Sequence, residues 1–176
     1  MNTKSLISVT ENNHVKGNKN GIIEILEFVD FQCPYCMNAS YIVNHLLDYF
    51  DGKIKFGIKH FPQTEFYEKT FIASSAAEAA ANQNKFWEMH DQLFHYQKGI
   101  DVYKIYHIAE ELMLDPDLFH EDFNHQKTKD TILQDFELGK SIGVTGTPTF
   151  FINGEKHIGD WTYKSLHEDI RNKLKA

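Results

Sequence analysis

The densest apolar run in the chain is Ile22, Ile23, Ile25, Leu26, Phe28 and Val29, broken only by Glu24 and Glu27. A near-continuous run of this length predicts a strand buried on both faces and ending near Asp30. The period then changes. Ala39, Ile42, Val43, Leu46, Leu47 and Phe50 recur at i, i+3, i+4, i+7, i+8 and i+11, one face of a helix. Gly52 is the predicted stop, because glycine takes the left-handed conformation that ends helices. Ile54 to Phe61 reads as a second strand, closed by Pro62. Strand, helix and strand in this order make a βαβ unit with a right-handed crossover.

From Thr64 to about Ser141 the periodicity is helical. Ile72, Ser75, Ala76, Ala79 and Ala80 mark a small-residue face; Phe86, Leu93 and Phe94 a second helix; Ile105, Ile108, Ala109 and Leu112 a third. Asp115-Pro116 is a helix start, with an N-cap acceptor before a proline at the first helical position. Leu118, Phe119, Asp122 and Phe123 follow it, and Ile132, Leu133 and Phe136 belong to one more helix ending near Gly143. Thr149–Ile152 and Glu155–Ile158 then flank Asn153-Gly154, a favoured two-residue hairpin turn. A terminal helix carries Tyr163, Leu166, Ile170 and Leu174 on one face. The polar stretch Asn12 to Gly21 reads as a loop. The prediction is an α/β fold with a mixed central sheet, βαβ then ββα, from residues 1–63 and 142–176, interrupted by a helical insertion, 64–141.

Composition narrows the function. A chain of 176 residues, 41% apolar, suits one domain with one insertion. The net charge of -7, with no basic cluster, argues against nucleic-acid binding. No stretch approaches the ~20 apolar residues of a membrane span. Met1 to Asn20 is polar and lacks the apolar segment of a secretory leader, so the sequence as written predicts a cytoplasmic protein, or an exported one if a leader has been removed.

The chain has two cysteines, in Cys33-Pro34-Tyr35-Cys36, at the junction of the first strand and first helix. Cysteines this close cannot staple a chain of this length, which leaves a redox pair, half of a zinc site or chance. Structural zinc takes four ligands, and the ten histidines show no tight pair at zinc-finger spacing; His90 and His95 fall on different helix faces. Redox chemistry is the preferred reading, with no metal and no cofactor. Unpaired N–H groups and the positive end of the macrodipole at a helix start favour a thiolate. Cys33 is expected at an exposed tip as the nucleophile, with a lowered pKa. Cys36, one turn further in, is expected to be shielded and to attack the mixed disulfide. Phe86, Trp87, Phe94 and Tyr96 could line a groove, with packed core the preferred reading.

The segment Glu27-Phe28-Val29-Asp30-Phe31-Gln32-Cys33-Pro34-Tyr35-Cys36 resembles the active-site stretch of DsbA-like thioredoxin-fold proteins. So do His60-Phe61-Pro62, the Ala76–Ala81 helix followed by Phe86-Trp87-Glu88-Met89-His90, and the run Gly143 to Gly154 containing Gly146-Thr147-Pro148-Thr149. The resemblance runs from about His14 to the final helix. It implies a thioredoxin fold and a thiol–disulfide oxidoreductase acting on protein or peptide thiols and disulfides, with an unidentified redox partner. It also implies that Pro148 is a cis proline beside the disulfide and that the backbone of Thr147 pairs with extended substrate. Glu27 matches a buried acid that exchanges a proton with Cys36, with Lys59 its candidate charge partner; the alternative is an exposed strand-end carboxylate. The family's strongest oxidants carry histidine where this chain has Tyr35. Tyrosine stabilises a Cys33 thiolate less, and this leaves oxidant, reductant and isomerase open. Two further readings stay open: a glutathione-linked disulfide reductase, since glutaredoxins also use Cys-Pro-Tyr-Cys, and a non-enzymatic redox-switched peptide-binding module.

Overall fold

Five strands, β1 (Lys16–Gly17), β2 (Ile23–Val29), β3 (Ile54–His60), β4 (Thr149–Ile152) and β5 (Glu155–Lys156), form one sheet in a computed structural model that describes residues 7–175. Their order is β1-β3-β2-β4-β5. The pairs β1/β3, β2/β4 and β4/β5 are antiparallel. The sheet is mixed, which makes the central pair β2/β3 the parallel one. Between them runs helix α1 (Pro34–Tyr49), as the βαβ pattern requires. Every residue of β2 except Glu24 is buried, the signature of a strand covered on both faces.

The described residues fall into two compact units. The first comprises the sheet, α1 from Tyr35 onward and a terminal helix α7 (Tyr163–Lys173). Its core is Ile23, Ile25, Leu26 and Phe28 from β2, Ala39, Val43 and Leu46 from α1, Phe56 and Ile58 from β3, Phe151 and Ile152 from β4, and Leu166 and Ile170 from α7. The rings of Phe28 and Phe151 meet edge to face at 5.8 Å, a favoured aromatic geometry. Asn153 and Gly154 have φ of 51° and 77°, which gives the hairpin its type I′ sense. The Asn153 side chain accepts from the Glu24 N–H at 2.8 Å and its own N–H donates to Glu24 O at 2.8 Å, tying the turn to β2.

Two expectations change here. The stretch read as a loop contains edge strand β1, with Lys16 opposite Phe56 and Gly17 opposite Lys55. Two residues cannot display a period of two. What admits this strand is the bare backbone of Gly17, at φ 82°, where a Cβ would stand 2.7 Å from Ile54 O. Strand β5 was expected to reach Ile158 and stops at Lys156. The His157 ring is held by α7 and the following loop, with Nδ1 2.7 Å from Asp169 Oδ2 on α7 and Nε2 3.0 Å from Asp160 O. Ile158 is left 93% exposed.

The second unit comprises Asp30–Pro34 and His60–Thr145. Its helices are α2 (Thr70–Ala81), α3 (Phe86–His95), α4 (Val102–Glu111), α5 (Pro116–Asn124) and α6 (Gln126–Ser141). Helix α2 is its hub and packs against all four others. Buried Ala73, Ala76, Ala77 and Ala80 give it the small faces that let several helices approach. Asp115 caps α5 as its sequence predicts, accepting from the N–H groups of Asp117 at 3.0 Å and Leu118 at 2.9 Å, with Pro116 at the first turn. No helix of the described residues is long and apolar enough to cross a membrane.

Candidate active site

The site is built where β2 runs out. Pro34 is the first residue of α1, a position where its missing N–H costs nothing. Cys33 therefore stands at the cap and Cys36 in the first turn. Cys36 is fully buried, as expected. Cys33 is not the exposed tip that the sequence suggested: it is only 2% exposed. The reason is the turn that precedes it. The Cys33 N–H donates to Asp30 O at 3.1 Å, closing the loop on itself. From α3's C-terminal side, Gln97 Nε2 donates to Phe31 O at 2.8 Å and to Cys33 O at 3.0 Å. Loss of these two bonds in Gln97→Ala is expected to cost about 1–3 kcal/mol, two bonds at the ~0.5–1.5 kcal/mol typical of one. Urea denaturation would measure it.

Phe31 anchors the same loop. Its buried ring lies 5.2 Å from Phe94, 5.6 Å from His90 and 6.0 Å from His60, centroid to centroid. Phe86 and Phe94 are buried, so the aromatic run around Trp87 is chiefly packed core rather than an open groove. His60 is buried as well. Its Nε2 lies 2.8 Å from Glu78 Oε1, and its N–H donates to Asp135 Oδ2 at 3.1 Å.

Asp30, three residues before Cys33, is the polar centre of this loop. Its side chain is wholly buried. Oδ1 accepts from the Gln32 N–H at 2.8 Å and from the Thr70 hydroxyl, and Oδ2 accepts from the Gln63 N–H at 2.8 Å. Burial pushes the Asp30 carboxyl above its ordinary pKa, against the opposing pull of hydrogen bonds from Thr70, Gln63, Gln32 and Cys33. The bond to the residue two ahead is an Asx turn, a signal present in the sequence. Gln97 has no such signal.

The remaining site residues lie in the first unit. Tyr35 is 59% exposed, and its ring meets that of Trp161 at 5.6 Å and 53°. Glu27 is buried at 2% exposure in β2, opposite Phe150, which removes the exposed-carboxylate alternative. The Thr147–Pro148 peptide bond is cis. Thr149, the next residue, pairs with Phe28, so Pro148 sits alongside the end of β2 from which the chain enters the Cys33 loop. The Thr149 hydroxyl donates to Gly146 O at 2.7 Å and closes the turn around the proline.

This geometry has relatives. The sequence pattern of a family described as thioredoxin matches residues 9–172, nearly the whole chain. The chain belongs to the thioredoxin family. Among solved structures, a thioredoxin-like oxidoreductase from Silicibacter pomeroyi superposes with a TM-score of 0.79 at 28% identity, covering 92% of each chain. BdbD from Bacillus subtilis superposes with a TM-score of 0.81 at 20% identity, covering 96% of each. The thiol-disulfide exchange protein alpha-DsbA2 from Wolbachia pipientis does so with a TM-score of 0.79 at 21% identity, over 97% of this chain and 95% of that one. Within the thioredoxin family the chain thus has the DsbA-like form, with helices inserted between β3 and β4. By sequence it is 37% identical over 157 residues to a protein of Salinispora tropica named Na(+)/H(+) antiporter NhaA 3. That match covers 89% of this chain and 24% of the relative, so the chain spans about a quarter of the curated relatives it matches.

Proposed function

We propose that this protein is a thiol–disulfide oxidoreductase that exchanges disulfides with protein or peptide substrates through Cys33 and Cys36. The observation that carries the reading is the placement of the pair: one thiol at the cap of α1 and one in its first turn, in a DsbA-like thioredoxin fold. A helix N-terminus favours an anion there, and a thiolate is the attacking species. In the reductive direction the Cys33 thiolate attacks one sulfur of a substrate disulfide. A mixed disulfide forms and the first substrate sulfur leaves as a thiolate. Cys36, its proton passing to Glu27, then attacks Cys33 Sγ. The Cys33–Cys36 disulfide forms and the second substrate sulfur leaves. Two electrons have moved from the protein to the substrate, and the reverse sequence oxidises a dithiol.

Substrate recognition follows the same placement. The backbone of Thr147, before the turn at Pro148, pairs with an extended segment of substrate as strand addition does. With so little of Cys33 open to solvent, an extended segment that presents its disulfide to the loop fits better than a disulfide recessed in a folded core. Turnover of a model protein disulfide with a regenerating thiol tests the activity. Wild-type turnover that disappears in Cys33→Ser supports the reading, and a wild-type protein that cycles no substrate disulfide contradicts it.

Tyr35 tunes the couple. Tyr35→His places a potential positive charge beside Cys33, which favours the thiolate and the reduced protein. The couple is expected to become more oxidising by on the order of 30 mV, equivalent to ~1.4 kcal/mol. Equilibration with glutathione buffers reads this shift; an unchanged or more reducing couple would separate residue 35 from the thiolate.

A further inference from the structure

We propose that Asp30 is a positioning residue that holds a fixed negative charge at the start of α1, disfavours the Cys33 thiolate and so makes the Cys33–Cys36 couple more reducing. The inference rests on the redox role of the pair and assigns a neighbour that tunes it.

Three observations support it. The first is the donor set. Both carboxyl oxygens of Asp30 face donors: the Gln32 N–H and Thr70 hydroxyl at Oδ1, and the Gln63 N–H at Oδ2. A carboxylate fits this arrangement, because each oxygen faces a backbone N–H, Gln32 at Oδ1 and Gln63 at Oδ2, that can only donate. These three partners are two backbone N–H groups and one hydroxyl, all uncharged.

The second is position. The main-chain carbonyl of Asp30 accepts from the Cys33 N–H at 3.1 Å, and its carboxylate binds the N–H of Gln32, the residue next to Cys33. The carboxylate and the thiolate therefore belong to one tight turn at one helix start. Such a start carries roughly half a positive charge. Two anions that share it compete, and like charges raise the cost of ionising either group.

The third is burial. The Asp30 side chain is inaccessible to solvent, so its charge is screened far less than a surface charge would be. The disulfide form carries no thiolate. The repulsion therefore falls on the reduced form alone and shifts the equilibrium toward the disulfide, which is the sense of a stronger reductant.

Asp30→Asn removes the charge while keeping the side chain's size. Two quantities are read on the folded variant: the Cys33 pKa, by thiolate absorbance, and the equilibrium constant with glutathione. The expected result is a lower Cys33 pKa and an equilibrium moved about tenfold toward the reduced protein, some 30 mV. A folded variant in which neither moves, or both move the other way, overturns the proposal. A purely structural role would change stability and leave both readouts in place. If that variant fails to fold, Asp30→Ser, which keeps a hydroxyl acceptor for the Gln32 N–H without the charge, is read in the same two ways. A lower Cys33 pKa and an equilibrium moved toward the reduced protein support the proposal, and unchanged values overturn it. Failure of the functional reading looks different: wild-type Cys33 and Cys36 would form no disulfide in glutathione buffers, and both ideas would fall together.

Discussion

Cys36→Ala incubated with a disulfide-containing protein should accumulate as a covalent mixed disulfide through Cys33, while turnover falls to background. Cys33 attacks and Cys36 resolves, so removing the resolving thiol stops the reaction after its first bond exchange. Cys33→Ser should form no adduct and should also lose all turnover. Non-reducing electrophoresis and mass spectrometry read both results directly. The order of attack rests on position in the helix rather than on exposure, since both sulfurs are buried and Cys33 is open by only 2%. An adduct through Cys36 in Cys33→Ser, with none through Cys33 in Cys36→Ala, would reverse the assignment.

The second large effect concerns Phe31, whose wholly buried ring packs among Phe94, His90 and His60. Phe31→Ala removes a full aromatic side chain from a closed site and should cost ~3–5 kcal/mol. Total stability is only ~5–15 kcal/mol, so the variant should unfold at much lower urea. It should also lose turnover below the unfolding midpoint, because Phe31 anchors the turn that carries Cys33. A loss under ~1 kcal/mol would mean that the loop is held by its hydrogen bonds alone. Phe31→Leu keeps most of the volume and should fall between the two.

Much of this architecture is legible in the chain. The unbroken apolar run of β2 marks its burial on both faces, and the helical period after Pro34 marks α1. The Asn153-Gly154 pair specifies a hairpin whose positive φ values the structure repeats. These features are local, set by residues within a turn or a strand of one another. What the sequence hid is set across distance. β1 is two residues long and owes its place to the missing Cβ of Gly17. The main-chain carbonyl of Cys33 is bonded by a glutamine 64 residues downstream, a contact with no local signature. Asp30 is an intermediate case. Its Asx turn onto Gln32 is readable at a separation of 2, whereas its bonds to Gln63 and Thr70 cross 33 and 40 residues. Together these explain why a cysteine at a helix start, expected to be open, is enclosed.

Cys33 and Cys36 are expected to behave as one redox couple. Equilibrating the wild-type protein in glutathione buffers of graded poise, quenching with acid and alkylating free thiols tests it most directly. Both thiols are expected to be lost together, in one two-electron transition, with a midpoint between the ~-270 mV of thioredoxin-type reductants and the ~-120 mV of the strongest oxidants. Thiols that stay free at every poise, or that are lost independently to glutathione adducts with no Cys33–Cys36 bond, would contradict it.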